Sequence, residues 1–176
     1  MTDIIVKTKP HVAHNSGNNE WYTPPKIIES ARLVMGDIDL DPASSEIANQ
    51  RVAAKKIYTL QDNGLTMPWF GRVWLNPPYA RPLLKHFTET FAEKYSKKEF
   101  HEACVLVNNA TETSWFSTLA DLSSALCFLK GRVCFLTPEG KTGQPLQGQV
   151  VLYYGEKKQK FVDVFFNLGF CVTKTR

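Results

Sequence analysis

Strand-like apolar runs alternate with helix-like stripes along the chain, and clusters of polar and turn-forming residues follow several of the strands. These two observations predict an α/β fold, a Rossmann-like sheet flanked by helices, with its chemistry at the carboxyl ends of the strands. The 176 residues suit one domain with a single substantial core. Only 35 positions separate Asp41 from Asn76, too few for two full β-α repeats. The central sheet is therefore expected to be abbreviated.

Residues 1–18 mix polar residues, Gly and Asn with His11 and His14 and show no sustained period. They predict a flexible tail beyond a short strand at 4–6, with residues 19–176 as the domain. The two histidines lie in a segment without helical pattern, so their spacing does not make a metal site. Next, Thr23 can cap a helix, Pro24 and Pro25 suit its first turn, and Ile27, Ile28, Ala31, Val34 and Met35 recur at helical spacing until Gly36. Residues 37–40 make a short strand. Asp41-Pro42-Ala43-Ser44-Ser45 lies at its end and leads into a helix over 46–54, capped by Ser44 or Ser45. Residues 57–60 read as a strand and Asn63-Gly64 as a turn, with Trp69 and Phe70 as core.

Val73-Trp74-Leu75 is a strand that must stop at Asn76-Pro77-Pro78-Tyr79, because proline has no N–H for the ladder and restricts the residue before it. A helix beginning at Arg81 then carries Leu83, Phe87, Phe91 and Tyr95 four apart. Residues 103–107 form a buried strand, followed by a polar loop over 108–113 and a helix bearing Trp115, Phe116 and Leu119. Trp115 either walls the site or packs in the core. Strands over 125–129 and 133–136 are expected to pair through Lys130-Gly131-Arg132 as a tight hairpin. An irregular stretch, 137–147, precedes a strand over 148–154, a helix over 157–168 and a last strand near 170–173.

Composition narrows the function without naming it. The net charge of +4, from 21 Lys and Arg against 17 Asp and Glu, leans towards a polyanionic partner. With no amino-terminal apolar segment bearing a cleavage site and no apolar run of membrane-spanning length, a cytoplasmic protein is expected. Cys104, Cys127, Cys134 and Cys171 lack the C-x-x-C pairs of structural zinc and read as small buried core residues.

The sharpest chemical signal is Asn76-Pro77-Pro78-Tyr79. The exocyclic amino group of a nucleobase is a poor nucleophile, because its lone pair is delocalised into the ring. An enzyme must accept hydrogen bonds from both N–H groups to draw the nitrogen towards tetrahedral geometry. The Asn76 side-chain oxygen and the Pro77 carbonyl are suited to that, and Tyr79 offers a face on which a base swung out of the helix can stack. Together with Tyr22-Thr23-Pro24-Pro25 and Leu40-Asp41-Pro42-Ala43-Ser44, this stretch resembles the motif set of the S-adenosylmethionine-dependent amino-methyltransferases. From Asn19 to about Gly155 the chain resembles, more closely, the phage-type DNA adenine (Dam) methyltransferases.

That resemblance implies a Rossmann-like methyltransferase fold, S-adenosylmethionine as cofactor, and transfer of its methyl group to adenine N6 in double-stranded DNA, with G-A-T-C as target. It also implies modification that protects viral DNA, in the host cytoplasm, and no metal. Trp21, Tyr22, Thr23 and Pro24 are then contacts to the methionyl part of the cofactor. Asp41 suits its cationic side, and Pro42 and Ser44 line the loop whose helix N–H groups face its carboxylate. Ser45, Glu46 and Ile47 stand where relatives usually carry glycines. Asp62, 21 positions after Asp41, is placed to accept either the adenine amino group or a ribose hydroxyl of the cofactor. Arg81 and Lys85 are candidates for the phosphates flanking the target base. Arg132, Gln144 and Gln147 are candidate readers of base edges, and Gln147 is equally suited to line the target pocket. Two rival readings keep the motifs: an N-methyltransferase for RNA bases or protein glutamine, and a catalytically idle DNA-binding module.

Overall fold

A proline-ended strand and two helices that begin beside prolines set the frame for the whole chain. The computed structural model describes residues 22–137, 140–143 and 147–174. The expected tail over 1–18 with its strand at 4–6, His11 and His14, together with Trp21 and Gln144, lies outside the described residues.

Helix α1 (Pro25–Met35) starts on a proline whose missing N–H costs a helix nothing at this position. Pro24 is its N-cap and no side chain caps it, so Thr23 does not take the expected role; it is buried instead. Gly36, at φ 93°, closes the helix with its N–H on Arg32 O, a left-handed turn that a Cβ would oppose. Strand β1 (Leu40–Asp41) is shorter and later than expected from 37–40. Asp37 and Asp39 are drawn to cations: Arg32 lies 2.9 Å from Asp37, Lys55 2.9 Å and Arg72 2.7 Å from Asp39.

Helix α2 (Glu46–Val52) has Ser45 as N-cap, its hydroxyl accepting from Ala48 N–H at 3.2 Å. Strand β2 (Lys56–Ile57) stops two residues after it starts. Thr59 is diverted because its N–H and hydroxyl both donate to the Asp62 carboxylate, at 2.8 and 2.7 Å, which starts a turn. No helix separates that turn from β3 (Arg72–Leu75), so the abbreviated centre of the sheet is observed. Trp69 is buried with its Nε1–H on Gly64 O, whereas Phe70 is exposed rather than core.

Helix α3 (Leu83–Ser96) begins two residues beyond Arg81, with Pro82 as N-cap. Then follow β4 (Glu102–Asn108), α4 (Ser114–Leu122) capped by Thr113, β5 (Ala125–Leu129), β6 (Gln149–Tyr154), α5 (Lys158–Phe165) and β7 (Gly169–Thr173). Trp115 is half-buried and packs on the core.

The sheet order is β2-β1-β3-β4-β6-β5-β7. The first four strands are parallel, and the pairs β4/β6, β5/β6 and β5/β7 are antiparallel. Both edges of β5 are thus occupied by β6 and β7. That leaves no place for a hairpin partner at 133–136, and the expected hairpin does not form. Leu136 instead exchanges two backbone hydrogen bonds of 2.9 Å with Tyr22, and pairs with Thr142.

Alternation along the strands sorts the core. Trp74, Cys104 and Leu106 face α1 and α5, while Val73, Leu75, Val105 and Val107 face α3 and α4. Cys104 and Cys127 are core residues, Cys171 is half-buried opposite Cys127, and Cys134 is exposed, unlike its expected burial. Among the described residues no helix is long and apolar enough to cross a membrane.

Candidate active site

Parallel strands bring their carboxyl ends to one edge, so the loops after β1, β2 and β3 converge there. Between them lies a cavity of about 230 Å³. Its wall takes in both sequence motifs: Asp41 to Ser45 on one side, Asn76 to Tyr79 on the other. Tyr22 and Thr23 at the foot of α1, and Thr59, Leu60 and Asn63 of the turn after β2, complete it.

Asp41 is 3% exposed, and burial pushes its carboxyl up to about 7, against the Ala43 N–H at 3.2 Å, which favours the charged form. A buried carboxyl that close to neutrality is a group poised to receive a cation. Ser44 Oγ is buried beside it, and its hydroxyl, like the Ala43 N–H, favours the charged form of Asp41. The turn after β2 closes tightly on this loop: a Cβ on Gly64 would lie 1.9 Å from Pro42 O. Arg51, on α2, is the cationic residue of the cavity wall, its guanidinium 5.5 Å from the centre of the Tyr22 ring. Neither Arg51 nor the Gly64 contact was legible in sequence, although a glycine after Asn63 was a turn signal.

On the other side, Pro77 is buried and Asn76 Oδ1 is covered at the cavity wall. The Tyr79 ring is half-buried rather than openly exposed, edge-on to Phe135 with centroids 5.9 Å apart. Its hydroxyl donates to Gln149 Oε1 at 2.9 Å and lies 3.2 Å from Leu106 O. Burial drives the phenol pKa well up, so this group is a donor throughout the working pH range.

The remaining sequence candidates scatter. Pro24 stands at the start of α1, outside the cavity wall. Asp62 is exposed and engaged by Thr59, so it orders the turn while its neighbours line the cavity. Arg81 is exposed just past Tyr79, and Lys85 is exposed on α3, 3.6 Å from Glu89. Arg132 and Gln147 are exposed on the long connection between β5 and β6, away from the cavity wall.

Comparison with known proteins gives the chain a family. The chain is 27% identical over 148 residues to the DNA N-6-adenine-methyltransferase of Escherichia phage T1, a match covering 73% of this chain and 57% of that protein. It is 26% identical over 162 residues to the DNA N-6-adenine-methyltransferase of Haemophilus phage HP1 (strain HP1c1), covering 85% of this chain and 89% of that one. The chain thus spans little more than half the length of the T1 protein. No solved structure matches it. The family described as DNA N-6-adenine-methyltransferase (Dam) matches residues 11–164, which include every described wall of the cavity, and the chain belongs to that family.

Proposed function

We propose that this protein transfers a methyl group from S-adenosylmethionine to N6 of an adenine swung out of double-stranded DNA, with G-A-T-C as the expected target. The observation that carries this reading is the single cavity shared by the Asp41–Ser45 loop and Asn76-Pro77-Pro78-Tyr79. A donor held on the first wall meets an amino group held on the second.

The residues fit the donor. Buried Asp41 suits its ammonium or sulfonium charge, the buried Ser44 Oγ beside it can bond its polar atoms, and Arg51 on the cavity wall can meet its carboxylate. Bound there, S-adenosylmethionine supplies a methyl group on a good leaving group, so no strong general base is required. The protein contributes orientation and exclusion of water. Asn76 Oδ1 and the Pro77 carbonyl accept hydrogen bonds from the two amino N–H groups, one of whose protons passes to water once the new C–N bond has formed, and the Tyr79 ring supports the base. Because Asn76 Oδ1 is covered, its side chain must turn as the base arrives. At about 230 Å³ the cavity is smaller than the roughly 300–1,000 Å³ usual for ligand sites, so donor and base must also occupy its open mouth near Leu60, which is 89% exposed.

Arg81 and Lys85, both exposed, are assigned to phosphates, and Arg132 and Gln147, exposed away from the cavity wall, to base edges, with Gln144 beside Gln147 in sequence. The test is transfer of labelled methyl groups to DNA, RNA and protein by the purified chain, with sequencing of the methylated DNA. N6-methyladenine at a constant short sequence is expected. Label only in RNA or protein, or none in any polymer, would overturn the reading.

A further inference from the structure

Gln149 is the first residue of β6 and only 4% exposed, yet neither the core nor the cavity wall accounts for it. A buried amide must satisfy both a donor and an acceptor end, and this one does so with the loop after β3 and the end of β4. Its Oε1 accepts the Tyr79 hydroxyl at 2.9 Å, and its Nε2 donates to Asn108 Oδ1. Asn108 is the last residue of β4 and sits directly opposite Gln149 in the antiparallel pair. Three strand ends, those of β3, β4 and β6, are therefore joined behind the tyrosine by one side chain.

The tyrosine needs such a partner. A phenol that stays protonated requires an acceptor, and the alternative, Leu106 O, is more distant at 3.2 Å. Phe135 packs against the ring with the two planes 61° apart, but an apolar contact does not fix the ring's hydroxyl end as a directional hydrogen bond does. We propose that Gln149 is a positioning residue for methyl transfer, which holds the Tyr79 ring in the orientation that receives the target base before DNA arrives. This rests on the reading of Tyr79 as the support of the base. Anchoring the far end of the ring in advance removes the freedom of the side chain to swing from the cost of capturing the base, and so acts on turnover rather than on the donor.

The oxygen, not the bulk, of Gln149 carries this role, and two variants separate them. Gln149→Met keeps the volume and loses the acceptor. Gln149→Glu keeps an acceptor for Tyr79, and Asn108 can meet the new carboxyl by turning its amide to donate. On unmethylated plasmid DNA that the parent protein methylates, Gln149→Met is expected to lower kcat by about tenfold, the size of one lost hydrogen bond. S-adenosylmethionine affinity by titration calorimetry should stay within about twofold. Tyr79→Phe should produce the same loss, and Tyr79→Phe combined with Gln149→Met no more than either alone. Gln149→Glu should recover most of the rate even with a lower Tm, because a residue that only filled space would be better replaced by methionine than by a buried carboxyl. A parental rate in Gln149→Met, or losses that multiply in the double variant, would overturn the proposal alone. Failure of the parent chain to methylate any DNA would instead overturn the reading beneath it, and the proposal with it.

Discussion

On the proposed reading, Asp41 couples donor binding to pH. Its carboxyl is raised from 3.8 to about 7 by burial, so between those values the folded chain holds a proton that the unfolded chain has released. Stability contributed at this site is therefore greatest in acid and falls as pH climbs towards 7. Keeping the carboxylate ionised above that point costs on the order of 4 kcal/mol. A cationic ligand offsets this cost. S-adenosylmethionine is expected to bind more tightly at pH 8 than at pH 6, by up to about tenfold, and Asp41→Asn should weaken binding and abolish the pH dependence in calorimetric titrations. Asn76 and Tyr79 differ from Asp41 because the proposed function pairs them with the acceptor base. Asn76→Ala should lower turnover by about 100-fold or more and Tyr79→Ala by about 10- to 100-fold, with donor affinity nearly unchanged. Equal losses in turnover and donor affinity would contradict these roles.

At the scale of elements, the site depends on a turn rather than on a helix. Strand β2 yields to the 59–62 turn because Asp62 captures both polar groups of Thr59, and the turn then closes on the loop after β1. Gly64 makes that closure possible, since any Cβ there would drive into Pro42 O at 1.9 Å. Backbone on both sides must shift to relieve such a contact. Gly64→Ala is expected to lower stability by about 1–3 kcal/mol and to weaken donor binding, with melting curves taken with and without S-adenosylmethionine as the measurement. An unchanged Tm would show that the turn is not held against the loop.

Across the whole molecule, charge is divided by sheet edge. At the amino ends of the parallel strands, Arg32, Lys55 and Arg72 are matched by Asp37 and Asp39, and Lys157 lies 2.9 Å from Glu102. These ion pairs neutralise the edge opposite the cavity, where Asp39, Arg72, Glu102 and Lys157 line a second hollow. On the cavity edge Arg81 is exposed beside Tyr79. A cation set against a phosphate releases counterions, so Arg81→Ala should weaken DNA binding at all sequences and reduce the slope of log affinity against log salt by about one. An unaltered slope would place Arg81 outside the DNA path.

The amino-acid sequence by itself determined what is local. Two prolines end β3 wherever the strand lies, because the missing N–H and the restricted backbone belong to those residues. The α/β alternation, the polar loop after β1 and a serine cap at 44 or 45 follow from periodicity and side-chain type in the same way, and the structure chose Ser45. Only the tertiary structure decided what depends on distant neighbours. Residues 133–136 look like a strand, yet β6 and β7 occupy both edges of β5 and send Leu136 to Tyr22 instead. Asp41 looks like any carboxylate until the surrounding walls desolvate it. Gln149 meets Tyr79 across 70 positions of chain, since strand pairing sets β6 beside β4 through contacts that no local pattern encodes.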